Sequence, residues 1–96
     1  MFELIDVRCL SEIATGRIPG GKAAPMRDLP GLFADWDRDA HYVIYCRSGI
    51  RSYQICGLML ENGFKNVENL SDGIYEWCEL GLPLTNTLES EVGSGP

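Results

Sequence analysis

The sequence is poor in several residue types, and each shortage removes a class of function. Its 96 residues contain one histidine, and its four cysteines, at positions 9, 46, 56 and 78, form no CxxC pair. A structural zinc site would lack ligands in a workable spacing, and a Ser-His-Asp hydrolase has no support. We therefore predict neither a metal nor a cofactor. A disulfide framework is not expected in a reducing compartment, although the sequence leaves open whether Cys56 or another cysteine pairs with Cys46.

Basic residues and long apolar runs are also scarce. Eight Lys and Arg against fourteen Asp and Glu give a formal net charge of −6. Nucleic acid and anionic membrane surfaces call for a basic face, so neither is expected as a partner. No segment has the apolar length of a membrane span, and the first residues lack the features of a signal peptide. A cytoplasmic location is the default expectation.

The residues that are present predict one α/β domain. Strand-like apolar runs alternate with segments of helical spacing, so the sheet should be largely parallel. We predict strands over 2–7, 41–45 and 67–70, with a short extended piece over 22–26. Predicted helices cover 9–15, 29–36, about 51–62 and a final stretch that ends near 81, and Asp28 is expected to cap the second of them. The domain should span 1–84, followed by a polar tail or linker over 85–96.

The most informative segment begins at Cys46, which ends the predicted strand 41–45 and opens a tight loop into a helix. Open parallel sheets bind ligands at the carboxyl ends of their strands, where Cys46 is expected. The unpaired N–H groups of the helix start, together with Arg47 and Arg51, would lower the pKa of the thiol and favour a nucleophilic thiolate. These residues alone leave a phosphatase, a redox-sensing thiol and a sulfurtransferase open.

Five ordered motifs extend along nearly the whole chain. They are Leu4-Ile5-Asp6-Val7-Arg8, Gly16-Arg17-Ile18-Pro19-Gly20-Gly21, Cys46-Arg47-Ser48-Gly49-Ile50-Arg51-Ser52, Gly63-Phe64-Lys65-Asn66-Val67 and Leu70-Ser71-Asp72-Gly73-Ile74-Tyr75-Glu76-Trp77. Together they resemble the rhodanese family of sulfurtransferases. The resemblance implies a three-layer fold with helices on both faces of a mainly parallel sheet. Two positions depart from the family pattern: Arg17 stands in place of a histidine, and Asp72 in place of the first glycine of a pair.

The start of the chain also differs from the family. Members similar to this one carry a further strand and helix before the Asp-Val-Arg strand, so the resemblance implies four strands instead of the usual five. The strand over 67–70 would then lie at an edge of the sheet, which proteins normally cover. We expect the tail, a second copy of the chain or a neighbouring domain to cover it.

The resemblance also implies a function for the loop. Cys46 would be the nucleophile that cycles between thiolate and persulfide, with a small anionic donor such as thiosulfate and a thiol, a dithiol protein or cyanide as acceptor. Arg47 would attract the donor, Arg51 would orient it or brace the loop, and Gly49 would adopt a positive φ. The predicted substrate-binding residues are Arg47, Ser48, Gly49, Ile50, Arg51 and Ser52.

Two alternatives remain beside this hypothesis. Relatives of the fold that act on phosphate or arsenate have one more residue between the cysteine and the arginine, so the four residues between Cys46 and Arg51 favour sulfur transfer over a phosphatase or an arsenate reductase. The chain could also be a sulfur-carrying or binding module of a larger protein with little turnover of its own.

Overall fold

A computed structural model describes residues 2–82 and 84. The strands are β1 (Glu3–Asp6), β2 (Lys22–Ala23), β3 (His41–Tyr45) and β4 (Asn66–Asn69), and the α-helices are α1 (Leu10–Ile13), α2 (Ile50–Glu61) and α3 (Gly73–Glu79). The strands pair in parallel in the order β2-β1-β3-β4. The predicted α/β class and the parallel sheet of four strands are therefore confirmed.

Alternating side chains along β3 build the two layers that flank the sheet. Tyr42 and Ile44 pack in one core cluster with residues of α2. Tyr45 points the other way and packs with Ile74 of α3 in a second cluster. A strand buried on both faces needs a nearly continuous apolar sequence, which is what residues 41–45 supply. Helices thus cover both faces of the sheet, and the domain has the expected three layers.

The register of the sheet determines where a site can form. Ile5 of β1 pairs with Ile44 of β3, and Ile44 pairs in turn with Asn69 of β4. The carboxyl ends of these three strands therefore lie side by side, with β3 in the middle. Cys46 follows the end of β3 directly, so the loop that carries it is flanked by residues from β1 and β4.

The strand β4 lies at one edge of the described sheet, as expected. Its cover by the tail, a second copy or a neighbouring domain stays a prediction, since the tail at 85–96 falls outside the described residues. Within the residues that the structure describes, no helix has the length and apolarity needed to cross a membrane. No group of three or more His, Cys, Asp or Glu side chains in that same part of the chain could hold a metal ion.

The segment over 29–36 differs from the sequence prediction. A helix does form within this range, but it is a 3-10 helix, Gly31–Asp35, which begins after Pro30. A second 3-10 helix, Met26–Asp28, precedes it, so Asp28 ends that earlier helix and caps neither of them. The predicted cap by Asp28 was wrong, and the helix is shorter than predicted, because a segment this short gains little from helical hydrogen bonds and takes the conformation that its packing requires. Phe33 supplies that packing: it is buried and meets the ring of Phe64 edge-on, with 5.2 Å between the ring centroids.

Candidate active site

Cys46 lies at the bottom of the loop between β3 and α2 and is 1% exposed. The loop ends at Gly49, which caps α2 with φ of 96° and so confirms the predicted left-handed conformation. An added Cβ at Gly49 would also lie 1.9 Å from the carbonyl oxygen of Ser71. Both the backbone conformation and the close approach of the Ser71 segment therefore exclude a side chain at this position.

Hydrogen-bond donors converge on the sulfur atom. The N–H of Gly49 donates to Cys46 Sγ at 3.1 Å and the N–H of Ser52 donates at 3.4 Å. The Ser52 hydroxyl lies at 3.4 Å as well, where it can donate to the sulfur. Burial raises the pKa of the Cys46 thiol, but the hydrogen bonds from Ser52 and from the N–H groups of Gly49 and Ser48 outweigh it, so that the pKa lies below its ordinary value. The loop therefore stabilises a thiolate, which is the reactive form of cysteine.

The start of α3 explains why the loop N–H groups face the sulfur. The N–H of Ile74 donates to the carbonyl of Cys46 at 2.9 Å, and the N–H of Tyr75 donates to the carbonyl of Arg47 at 3.0 Å. The loop carbonyls are thus held outward on α3, which leaves the loop N–H groups directed inward. This packing brings Gly73 so close that an added Cβ would lie 2.3 Å from the Cys46 carbonyl oxygen.

The departure from the family pattern at Asp72 is compatible with this packing. Gly73 has φ of 57°, in the left-handed region that favours glycine, whereas Asp72 has φ of −104°, which any residue adopts. The second residue of this pair must therefore be glycine, and the first need not be.

Arg51 is engaged by a carboxylate from another element. Its two terminal nitrogens, Nη1 and Nη2, donate to the carboxylate oxygens of Glu12 at 2.6 and 2.9 Å. This bidentate pair holds the pKa of Glu12 at about 2, below its usual range. The contact ties the first turn of α2 to α1, which fits the bracing role considered for Arg51. Its role in binding the donor stays a prediction.

The remaining loop side chains, those of Arg47, Ser48 and Ile50, are exposed. Arg47 is exposed and forms no ion pair within the described part of the chain. Ile50 is 69% exposed and, with Ser48 and Tyr53, lines a shallow cavity of about 400 Å³ beside the loop. Of the six predicted binding residues, the structure thus brings Gly49 and Ser52 to the sulfur of Cys46, pairs Arg51 with Glu12 and leaves Arg47, Ser48 and Ile50 exposed. Whether they bind a donor there stays a prediction.

A second ion pair lies behind the loop, at the end of β1. Arg8 Nη2 contacts Asp6 Oδ2 at 2.7 Å and also donates to the carbonyl of Gly16 at 2.8 Å. Both charged side chains are buried, and each satisfies the other. Arg17, in the position of the family histidine, is buried as well.

Sequence reasoning missed two residues of the site, Glu12 and Asn69. Glu12 follows Cys9 by three residues, which is the spacing of a capping box, and its Oε1 accepts a hydrogen bond from the N–H of Cys9. That spacing was a signal in the sequence for Glu12. Asn69 carries no such local signal. Its side-chain oxygen accepts from Ser52 Oγ and its Nδ2 donates to the carbonyl of Gly49 at 3.1 Å, across 17 and 20 residues of sequence.

Comparison with known proteins decides the family. The rhodanese-like domain family matches residues 1–80. The chain belongs to the rhodanese family. It is 43% identical over 81 residues to a sulfurtransferase of Allochromatium vinosum, a match that covers 84% of this chain and 76% of that protein. It is also 43% identical over 74 residues to the putative sulfurtransferase YtwF of Bacillus subtilis, with 77% and 71% covered.

Solved structures agree with this assignment. A rhodanese-related protein from Thermoplasma volcanium matches with a TM-score of 0.82 and 27% identity, over 90% of this chain and 85% of that chain. The rhodanese-like domain of the Alr3790 protein from Anabaena sp. matches with a TM-score of 0.81 and 27% identity, over 88% of this chain and 99% of that chain. In general terms the protein is therefore a rhodanese-family sulfurtransferase, with a sulfur donor and a sulfur acceptor as its partners.

The four cysteines of this rhodanese are all free thiols in the structure. Cys56 lies on the buried side of α2, in the core, where burial raises its pKa to about 11. Its thiolate is therefore strongly disfavoured, in contrast to that of Cys46. Cys9 and Cys78 are exposed.

Proposed function

We propose that Cys46 is the nucleophile of a sulfurtransferase that moves sulfane sulfur from a small anionic donor such as thiosulfate to a thiol, a dithiol protein or cyanide. The observation that carries this proposal is the convergence of three hydrogen-bond donors, from Gly49 and Ser52, on the sulfur of Cys46, a residue that is 1% exposed. A buried cysteine without a chemical role has no need of such donors, because a neutral thiol is a weak acceptor.

The reaction has two displacement steps. In the first, the Cys46 thiolate attacks the outer sulfur of thiosulfate, the bond between the two donor sulfurs breaks, and sulfite leaves with the electron pair. The enzyme then carries a persulfide with its negative charge on the outer sulfur. In the second step an acceptor thiolate or cyanide attacks that outer sulfur and Cys46 leaves as the thiolate. The total charge is unchanged in each step, and the scheme predicts ping-pong kinetics.

The loop supports both steps in this scheme. Its inward N–H groups form a concave donor set of the kind that binds anions, and they stabilise the thiolate when it attacks and when it leaves. Arg47, exposed and without an ion pair among the described residues, attracts the anionic donor to the opening. Arg51 keeps the first turn of α2 in position through Glu12.

The direction of the N–H groups also supports sulfur over phosphate chemistry. A phosphatase loop must direct its N–H groups at the oxygens of a tetrahedral oxyanion that lies above the cysteine. Here the N–H groups of Gly49 and Ser52 lie within 3.4 Å of Cys46 Sγ itself. The short loop therefore favours charge on sulfur, which is what sulfur transfer requires.

Intact mass spectrometry tests the covalent step. After incubation with thiosulfate and desalting, we expect the protein to gain one sulfur, about 32 mass units, with sulfite released in equal amount. Cys46→Ser should gain nothing, whereas the matched variant Cys56→Ser should gain one sulfur like the parent chain. A gain that persists in Cys46→Ser would refute the assignment of the nucleophile.

Turnover separates the enzyme from the alternative of a sulfur-carrying module. The enzyme should convert thiosulfate and cyanide to sulfite and thiocyanate, with parallel lines in double-reciprocal plots. Stable persulfide without turnover would favour the carrier. Hydrolysis of an aryl phosphate without any sulfur uptake would instead favour the phosphatase.

A charge-neutral variant tests the role of Arg47. We expect Arg47→Gln to raise the KM for thiosulfate about three-fold with little change in kcat, a size typical of an exposed charge. Lys65→Gln is the matched control, because it removes one exposed positive charge that contacts Asp39 away from the loop. Equal effects of the two variants would show that net charge alone, and not the position of Arg47, draws the donor.

A further inference from the structure

Ser52 has one hydroxyl proton and two acceptors for it. Its Oγ lies 3.4 Å from Cys46 Sγ and 2.5 Å from Asn69 Oδ1. A serine hydroxyl donates a single hydrogen bond at a time, so the two acceptors exclude each other. Ser52 is fully buried, which makes the direction of this proton a property of the site and not of bulk solvent.

The amide of Asn69 is held in one orientation. Its Nδ2 donates at 3.1 Å to the carbonyl of Gly49, an oxygen that can only accept. The other side of the amide, Oδ1, must then face Ser52. The carboxyl end of β4 therefore presents a permanent acceptor to the same hydroxyl that can stabilise the Cys46 thiolate.

We propose that Asn69 is a positioning residue that competes with Cys46 Sγ for the hydroxyl proton of Ser52 and so controls how strongly the loop stabilises the thiolate. With a thiolate at Cys46 the hydroxyl turns to sulfur. With a persulfide the charge lies on the outer sulfur, and the hydroxyl returns to Asn69. This inference adds to the proposed function a residue that decides when Sγ receives its third hydrogen bond.

The two alanine substitutions that test this inference, at Ser52 and Asn69, leave every charged side chain near the loop in place. Arg51 is paired with Glu12 of α1, and Arg8 at the end of β1 is paired with Asp6. Beside the start of α3, Asp72 and Glu76 interact with each other, and Arg47 is exposed. A change in the acidity of Cys46 after substitution at 52 or 69 therefore reports the hydrogen bonds and not a lost charge.

The test is the pH dependence of Cys46 alkylation by iodoacetamide, followed on the Cys46 peptide by mass spectrometry. Ser52→Ala removes a donor to sulfur and should raise the midpoint by about 0.5 to 1 pH unit. Asn69→Ala removes the competitor and should lower the midpoint by about 0.5 unit. The double variant should match Ser52→Ala alone, because Asn69 acts through the serine.

Opposite signs distinguish this role from a structural one. If Asn69 only supported the loop, Asn69→Ala would loosen the hydrogen-bond donors around Cys46 Sγ and raise the alkylation midpoint. Either a raised or an unchanged midpoint in Asn69→Ala would overturn the inference. Asn69→Asp keeps the shape of the side chain, holds the Ser52 proton more strongly and adds a negative charge, so this variant should raise the alkylation midpoint. A lower midpoint in Asn69→Asp would also overturn the inference. Alkylation needs no sulfur donor. The shifts of the midpoint can therefore be interpreted even if the proposed sulfur transfer fails.

Discussion

Replacing Gly73 with alanine tests whether α3 determines the geometry of the cysteine loop. Gly73 has φ of 57°, and an added Cβ would lie 2.3 Å from the carbonyl oxygen of Cys46 and 2.7 Å from that of Arg47. Both contacts are to backbone atoms of the loop itself. The clash can be relieved only if α3 moves away, which breaks the hydrogen bonds from Ile74 and Tyr75 to these same carbonyls.

The size of the effect follows from these contacts. A left-handed conformation costs a non-glycine residue about 1 to 2 kcal/mol, and overpacking of a tight site costs about 1 to 3 kcal/mol. We therefore expect Gly73→Ala to lower the free energy of unfolding by about 2 to 5 kcal/mol. In a domain of this size such a loss lowers the melting temperature by roughly 10 °C or more.

Urea and thermal denaturation followed by circular dichroism measure this loss, and Gly57→Ala is the matched control. Gly57 lies inside α2, and an added Cβ there would meet nothing within 4 Å. Alanine in the interior of a helix is more favourable than glycine, so Gly57→Ala should raise the free energy of unfolding by about 0.5 to 1 kcal/mol. The same chemical change thus has opposite expected signs at the two positions.

A second measurement follows the site itself. In Gly73→Ala the loop N–H groups should no longer converge on the sulfur, so the alkylation midpoint of Cys46 should rise, whereas Gly57→Ala should leave it unchanged. Equal stability of the two variants, or an unchanged midpoint in a folded Gly73→Ala protein, would refute the inference that α3 directs the loop.

Two further predictions concern Glu12 and Cys56. The pKa of Glu12 is about 2, below the ordinary 4.5, so its pair with Arg51 stabilises the fold above about pH 4.5 and this contribution disappears as the pH falls toward 2. Both side chains are partly exposed, so Glu12→Gln should cost only about 1 kcal/mol at pH 7, and urea titrations should show that difference shrinking with acid; a constant difference would contradict the pair. Cys56→Ala should cost about 1 kcal/mol through a small cavity and leave sulfur uptake intact, and a variant that no longer gained sulfur would show that Cys56 takes part in transfer.

Local sequence signals were sufficient for the class of the fold and for the position of the cysteine. Strand and helix periods are properties of neighbouring residues, and they predicted the parallel sheet and the loop at the carboxyl end of β3. The positive φ of Gly49 was predictable for the same reason, since it belongs to a single backbone position. The helix predicted over 29–36 is shortened to a 3-10 helix, Gly31–Asp35, because packing around Phe33, and not local preference, determines the conformation there.

The partners that complete the site were decided by the tertiary structure. Arg51 meets Glu12 across 39 residues, and Ser52 meets Asn69 across 17. The sequence by itself determined that a cysteine in a positively charged loop would lie at the end of a central strand. It could not determine which carboxylate neutralises Arg51, which amide competes for the Ser52 proton, or which helix holds the loop carbonyls. Those contacts exist because parallel crossovers bring the ends of β1, β3 and β4 to one edge of the sheet. Contacts between residues so far apart in the sequence cannot be derived from local spacing.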